Sequence, residues 1–253
     1  MYQIDLNSDL GESYGVYTIG MDADVIQHVS SANIACGYHA GDPIVMDRIV
    51  ALAVEYGVGI GAHPGFPDLL GFGRRNIVVS PTEAKHYVIY QVGALAAFAA
   101  AHGAKLQHVK THGALYNMAA KDYKLARAIC EGIASVDPNL IILGLANSEW
   151  TQAGKDVGVD MRSEIFADRA YRDDGTLVPR GQPGAIIHDK DVTIQRAIRM
   201  VKEHKVTSIT GKEIQIIPDS MCVHGDNPMA VEFVRSIRKA FSDSGIQVKR
   251  MDA

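Results

Sequence analysis

Short apolar runs alternate with amphipathic helical stretches about seven times along this chain, which restricts it to a parallel sheet with helical crossovers. The runs fall at 2–6, 32–35, 58–62, 106–110, 140–145, 161–167 and 220–223, and 246–250 can close the sheet. The run at 140–145 is almost wholly apolar, the mark of a parallel strand buried on both faces. Residues 207–217 read instead as a hairpin turning at Gly211-Lys212. Between the runs, local chemistry places the helix starts. Asp42-Pro43 supplies an N-cap followed by proline at the first helical position, and Ser80-Pro81-Thr82-Glu83 reads as a capping box. The helix after Ser80 carries Ala84, Val88, Val92, Leu95 and Ala99 on one stripe, and the last carries Ala230, Phe233, Val234, Ile237 and Phe241. Asp22 is placed to cap a short helix ending near His28.

What distinguishes an open sheet from a closed one is where the polar residues fall. The runs end in clusters: Asp9/Glu12, Asn33/His39, His63, Lys110/His112, Asp168/Arg169 and His224/Asp226. An open sheet gathers its ligands mainly at one switch point, whereas a barrel brings many strand ends to one mouth. The pattern therefore predicts a single β/α barrel over 1–253. The stretch 106–117, LQHVKTHGALYN, is the centre of this design. If extended throughout, it sets His108, Lys110 and His112 on one face. A cation between imidazoles is costly to bury unless an anion lies opposite.

Composition narrows the function classes. With 47% hydrophobic residues the chain can build a sizeable core, and a formal net charge of -4 gives no basic footprint for nucleic acid. Cys36, Cys130 and Cys222 cannot all pair within the chain and form no CxxC, as expected of reduced thiols in a cytoplasmic protein. The first residues carry no signal-peptide pattern, and no apolar run approaches the ~18 residues of a membrane span. A thiol-nucleophile role for Cys36 or Cys222 has no dedicated base beside it in sequence, so core packing is the expectation for both.

Six segments then resemble a known family: DLNSDLGE at 5–12, ANIACGYHAGDP at 32–43, GAHPGFPDLLGFGRR at 61–75, VKTHGALYN at 109–117, EIFADRAYRDDGTLVPR at 164–180 and CVHGDNP at 222–228. Together they are similar to the LamB/YcsF family, from the first strand to the last helix. The resemblance implies a seven-stranded β/α barrel like that of the glycoside hydrolase/deacetylase superfamily. It also implies ATP-dependent opening of the lactam 5-oxoproline to glutamate, with ATP as co-substrate alongside Mg2+, in a complex with B and C subunits.

That chemistry sets demands on the residues. A lactam carbonyl is protected by amide resonance, so phosphorylation of its oxygen by ATP is a plausible activation. The site then needs cations for phosphoryl and carboxylate charge, and a base for water. Asp9, Glu12, His63, Lys110 and His112 are the expected catalytic set. In it Lys110 neutralises charge on the activated oxygen, while a carboxylate–imidazole pair directs water. Asn33, His39, Asp168, Arg169, Tyr171, Arg180, His224 and Asp226 are expected to bind substrate. Arg74 and Arg75 are left as loop residues, and His28, His86, His102 and His204 as surface groups.

Two further readings bear on cofactors. His108 and His112 have HxxxH spacing, but along a strand they would stand ~13 Å apart, too far for one ion unless the end curls. A mixed site from Asp9, His63 and His224 is conceivable across strand ends, and no metal is assigned. No GxxxxGK[ST] occurs, and the Gly57-x-Gly59-x-Gly61 run feeds a loop rather than a helix, a weak phosphate signal. The alternative function is a metal-dependent amide hydrolase or deacetylase acting alone.

Overall fold

The computed structural model describes residues 2–223 and 228–252. Seven parallel strands form a closed ring. In chain order they begin with β1 (Tyr2–Leu10), β2 (Ser31–Ala35), β3 (Gly59–His63), β4 (His108–Lys110), β5 (Ile141–Leu145) and β6 (Met161–Phe166). A two-stranded antiparallel ribbon follows, β7 (Lys205–Thr207) with β8 (Glu213–Gln215), and then β9 (Ser220–Val223) and β10 (Ile246–Val248). The ring runs β1-β2-β3-β4-β5-β6-β9 and closes where Asp5–Ser8 of β1 pair with Ser220–Val223 of β9. β10 therefore does not close the sheet as the sequence suggested. It pairs in parallel with only Tyr2, Gln3 and Ile4, outside the ring, because β9 already occupies the partner positions further along β1.

Helices α1 (Asp22–Val25), α2 (Pro43–Glu55), α3 (Pro81–Ala101), α4 (Gly113–Ala119), α5 (Tyr123–Val136), α6 (Glu149–Val157), α7 (Lys190–Glu203) and α8 (Pro228–Asp243) are the crossovers. Their starts follow local chemistry. The Asp42 carboxylate accepts from the amides of Ile44 and Val45 ahead of α2, and Ser80 with Glu83 forms the reciprocal capping box of α3. Asp22 is not a cap: Met21 holds that position, and the Asp22 carboxylate accepts from the Gly11 amide. The apolar stripe of α3 is fully buried against the outer face of the ring. Among the described residues no helix is long and apolar enough to cross a membrane.

Two glycines explain how the ring interior is filled. A Cβ on Gly59 would run into Gln107 Oε1, and one on Gly61 into His108 Nε2. The glycine run of β3 thus admits polar side chains of its neighbours into the ring, which is a packing role rather than a phosphate cradle.

Candidate active site

Parallel strands in a ring must all end on one face, and the polar clusters gather there. A cavity of about 680 Å³ opens at the C-terminal ends of the strands, lined among others by Asp9, Glu12, His63, Lys110, His112 and Phe166. Three of the expected substrate contacts stand around it differently. Arg169 and Arg180 line it, whereas Asn33 lies beneath it, donating to Asn7 at 2.7 Å and to Asp9 at 2.8 Å. His39 is buried behind the catalytic cluster and Asp168 is half-buried at the base of the 168–186 loop. Tyr171 is wholly buried, its hydroxyl accepting from the Phe166 amide, so it supports the end of β6 rather than facing the cavity. His224 and Asp226 lie outside the described residues.

Lys110 is a buried charge enclosed by polar partners. Its Nζ lies 2.8 Å from Asp9 Oδ1, 2.9 Å from Glu164 Oε1, 3.0 Å from Cys222 Sγ and 3.3 Å from Asn7 Oδ1. Burial works against its charge, but Asp9, Cys222 and Glu164 hold it ionised, well above the ordinary lysine range. An ammonium has three protons, and these partners occupy them. Lys110 therefore fixes and neutralises Asp9. Burial would push the Asp9 carboxyl up, yet His63 and Lys110 outweigh it and hold it well below the usual carboxylate range.

The imidazoles form a second cluster beside this one. His63 Nδ1 lies 2.7 Å from the Lys110 carbonyl, and His112 Nε2 lies 2.9 Å from the Phe72 carbonyl. A carbonyl only accepts, so each ring carries its proton on that outer nitrogen. The inner nitrogens, His63 Nε2 and His112 Nδ1, face each other at 2.9 Å. Around them lie Asp9 Oδ2, 3.3 Å from His63 Nε2, and Glu12 Oε1, 3.5 Å from His112 Nδ1. His39 stacks flat on His112, centroids 3.7 Å apart and planes within 2°, with its Nε2 3.3 Å from Glu12 Oε1. Burial pushes His112 and His39 well down, and it raises Glu12 against the pull of His112. Glu12, His39, His63 and His112 are the one group among the described residues whose ligand atoms lie close enough to hold an ion.

Backbone strain positions part of this cluster. Phe72 has φ of 52° in the left-handed region, costly for a residue with a Cβ, and its carbonyl is the one that receives His112. Gly73 follows at φ 60°, where a Cβ would meet His39 at 2.7 Å and His112 at 2.9 Å. The loop 64–76 thus packs directly onto the imidazoles.

The residues that alternate along 108–112 part company in the fold. β4 ends at Lys110, and His112 is the residue that precedes α4, so the chain curls before it reaches His112. His108 stays deep in the ring, 2.7 Å from Asn33 Oδ1, and it is His63 that meets His112. Glu164, Asn7 and the Phe72 carbonyl were missed, as was Arg74, which lines the cavity and lies over the Phe72 ring. A clue to Glu164 lay in the sequence: it is a carboxylate two residues before Phe166 on a strand, so both share the inner face. Cys36, Cys130 and Cys222 are all buried, and burial raises all three thiols, which does not suit a nucleophile. Arg169 is buried with its guanidinium donating to the Val178 carbonyl at 2.7 Å, and burial and the nearby Arg180 bring it down to about 10.

Comparisons with known proteins agree with this architecture. The LamB/YcsF family matches residues 4–253. A protein of Alkaliphilus metalliredigens, named as the A subunit of 5-oxoprolinase, is 57% identical over 100% of this chain and 99% of its own length. One of the same name from Bacillus subtilis is 55% identical, over 98% of this chain and 96% of its own. Among solved structures, a lactam utilization protein of Thermus thermophilus superposes with a TM-score of 0.92 at 44% identity, covering 98% of this chain and 99% of that one. A family 4 carbohydrate esterase of Streptomyces lividans shares the fold alone, with a TM-score of 0.50 at 8% identity over 98% of this chain and 91% of that one.

Proposed function

The chain belongs to the LamB/YcsF family, and from that membership we propose that it is the A subunit of an ATP-dependent 5-oxoprolinase. It opens the lactam of 5-oxo-L-proline with water to give L-glutamate, together with B and C subunits in the cytoplasm, as ATP is hydrolysed to ADP and phosphate. The observation that carries this reading is full-length identity of more than half to relatives that bear that name.

The site supports it in physical terms. Opening an amide needs a base for water and countercharge for the oxygen that develops negative charge. Asp9, kept ionised by Lys110 and set 3.3 Å from His63 Nε2, pairs a carboxylate with an imidazole at the cavity floor. With the protons of Lys110 committed, Arg74, Arg169 and Arg180 on the walls are the cations positioned to receive substrate carboxylate and phosphoryl oxygens. The cavity is of the size that holds a small organic ligand. ATP enters this reading as the co-substrate that activates the carbonyl, accompanied by Mg2+. No phosphate loop occurs in the sequence, which fits a nucleotide met on one of the partners.

The test is reconstitution. The chain is mixed with candidate B and C subunits, and glutamate release from 5-oxoproline is followed with and without ATP. Release that requires both ATP and the partners is the expected result. Release by this chain alone without ATP would instead support an amide hydrolase acting by itself, and deacetylation of acetylated sugars would point the same way.

A further inference from the structure

We propose that Glu12, His63 and His112 bind a divalent first-row transition cation of the Zn2+ or Co2+ type at the cavity floor. Both imidazoles donate their outer N–H to a backbone carbonyl, His63 to Lys110 and His112 to Phe72. That is the arrangement by which proteins fix the tautomer and orientation of metal-binding histidines. The two inner nitrogens then stand 2.9 Å apart, a spacing that a shared ion can bridge. Two carboxylate oxygens, Glu12 Oε1 and Asp9 Oδ2, border the same point. The one nearby ammonium, Lys110, is spent on Asp9 and Glu164. A small space bordered by imidazole nitrogens and carboxylate oxygens is stabilised by a cation.

The spacing suits an ion of this class. Nitrogens about 2.05 Å from an ion subtend about 90° when they stand 2.9 Å apart, and the 3.5 Å from Glu12 Oε1 to His112 Nδ1 corresponds to about 115°. Imidazole nitrogen with carboxylate oxygen selects Zn2+, Co2+, Fe2+ or Mn2+ over Ca2+ and Mg2+. His39 is close enough to join, but its ring lies parallel to that of His112 and 3.7 Å away. An ion in the plane of His112 stands well off the plane of His39, so His39 is assigned as the group that orients Glu12, 3.3 Å from Oε1. The strained Phe72 carbonyl serves the same end for His112.

The experiment uses the full-length chain and needs neither 5-oxoproline, ATP nor partner subunits, so its outcome is independent of the activity proposed above. The chain is stripped with chelator, incubated with Zn2+ or Co2+, desalted and measured for metal content and for the visible spectrum of the Co2+ form. The expected result is about one equivalent per chain, a d–d band in the visible, and a raised melting temperature. His63→Asn and His112→Asn should abolish the band and the thermal shift. His39→Asn should keep the band and weaken binding about 10–100-fold. Wild-type chain that retains no Zn2+ or Co2+ and shows no band overturns the proposal; in that case His63 and His112 share a proton instead. Retention of the band in both His63→Asn and His112→Asn, with circular dichroism unchanged, overturns it as well.

Discussion

Two layers of polar side chains fill the ring, and they are built differently. In the lower layer the Asp5 carboxylate accepts from the hydroxyls of Ser30 and Ser31 at 2.7 Å each and from Ser220. Asn7 donates to Glu164 at 3.0 Å, Asn33 to Asn7 at 2.7 Å, and His108 to Asn33. None of the side-chain polar atoms of Asp5, Ser30, Ser31, Ser220, Asn33 or His108 lacks a partner. In the upper layer, Asp9 and Glu164 share the Lys110 ammonium, Glu12 lies among three imidazoles, and the buried His39 Nδ1 has no hydrogen-bond partner. A satisfied network makes a rigid floor. An unsatisfied one stays available to a ligand, and its cost is borne because the floor and the outer apolar core hold it in place.

Breaking the tie between the layers should have the largest effect. Lys110→Met leaves Asp9 and Glu164 buried without their counter-charge. Urea unfolding should show a loss of about 3–5 kcal/mol, with turnover of the reconstituted complex abolished. Wild-type turnover in this variant would remove Lys110 from the site. His63→Asn tests the upper layer alone. Turnover should fall about 10²-fold or more, while the unfolding midpoint of the metal-free chain changes little. A large stability loss with modest kinetic change would assign His63 to the floor instead.

The lower layer should reveal itself through acid. Burial, followed by the charge of Lys110, brings His108 down to about 3, from 6.5 for a free imidazole. The native state therefore stays neutral there while the unfolded chain takes up a proton. Stability associated with His108 is complete above about pH 6.5 and is lost as pH falls toward 3. The stability gap between wild type and His108→Gln should narrow across that window, by on the order of 4 kcal/mol. A gap that stays constant from pH 7 to 3.5 would show that His108 is not held neutral. Gly61→Ala is the mildest probe, because its new Cβ presses on the His108 ring. A loss of about 1–3 kcal/mol is expected in thermal unfolding, with the metal affinity of the upper layer unchanged.

Part of this division was legible in the sequence. The caps at Asp42 and Ser80 and the buried stripe of α3 are local patterns, and each forms as expected. A closed ring followed from the number of strand ends that carry polar groups. Other features turn on pairs distant in sequence. His108 and His112 look equivalent in the alternating stretch, but one lies in the lower layer and the other in the upper, because β4 stops at Lys110. Glu164 and Asn7 read as ordinary strand residues until β6, β9 and β1 bring them to Lys110 and Ser220. β10 looked like the closing strand, and only the register of β1 with β9 showed otherwise.

Local sequence sets where α2 and α3 start and which polar groups stand at strand ends, since hydrogen-bonding caps and side-chain periodicity act within a few residues. Only the tertiary structure decided which of those polar groups meet. Which nitrogen of His63 and His112 keeps its proton depends on the carbonyls of Lys110 and Phe72, set against them by the ring and by the loop 64–76.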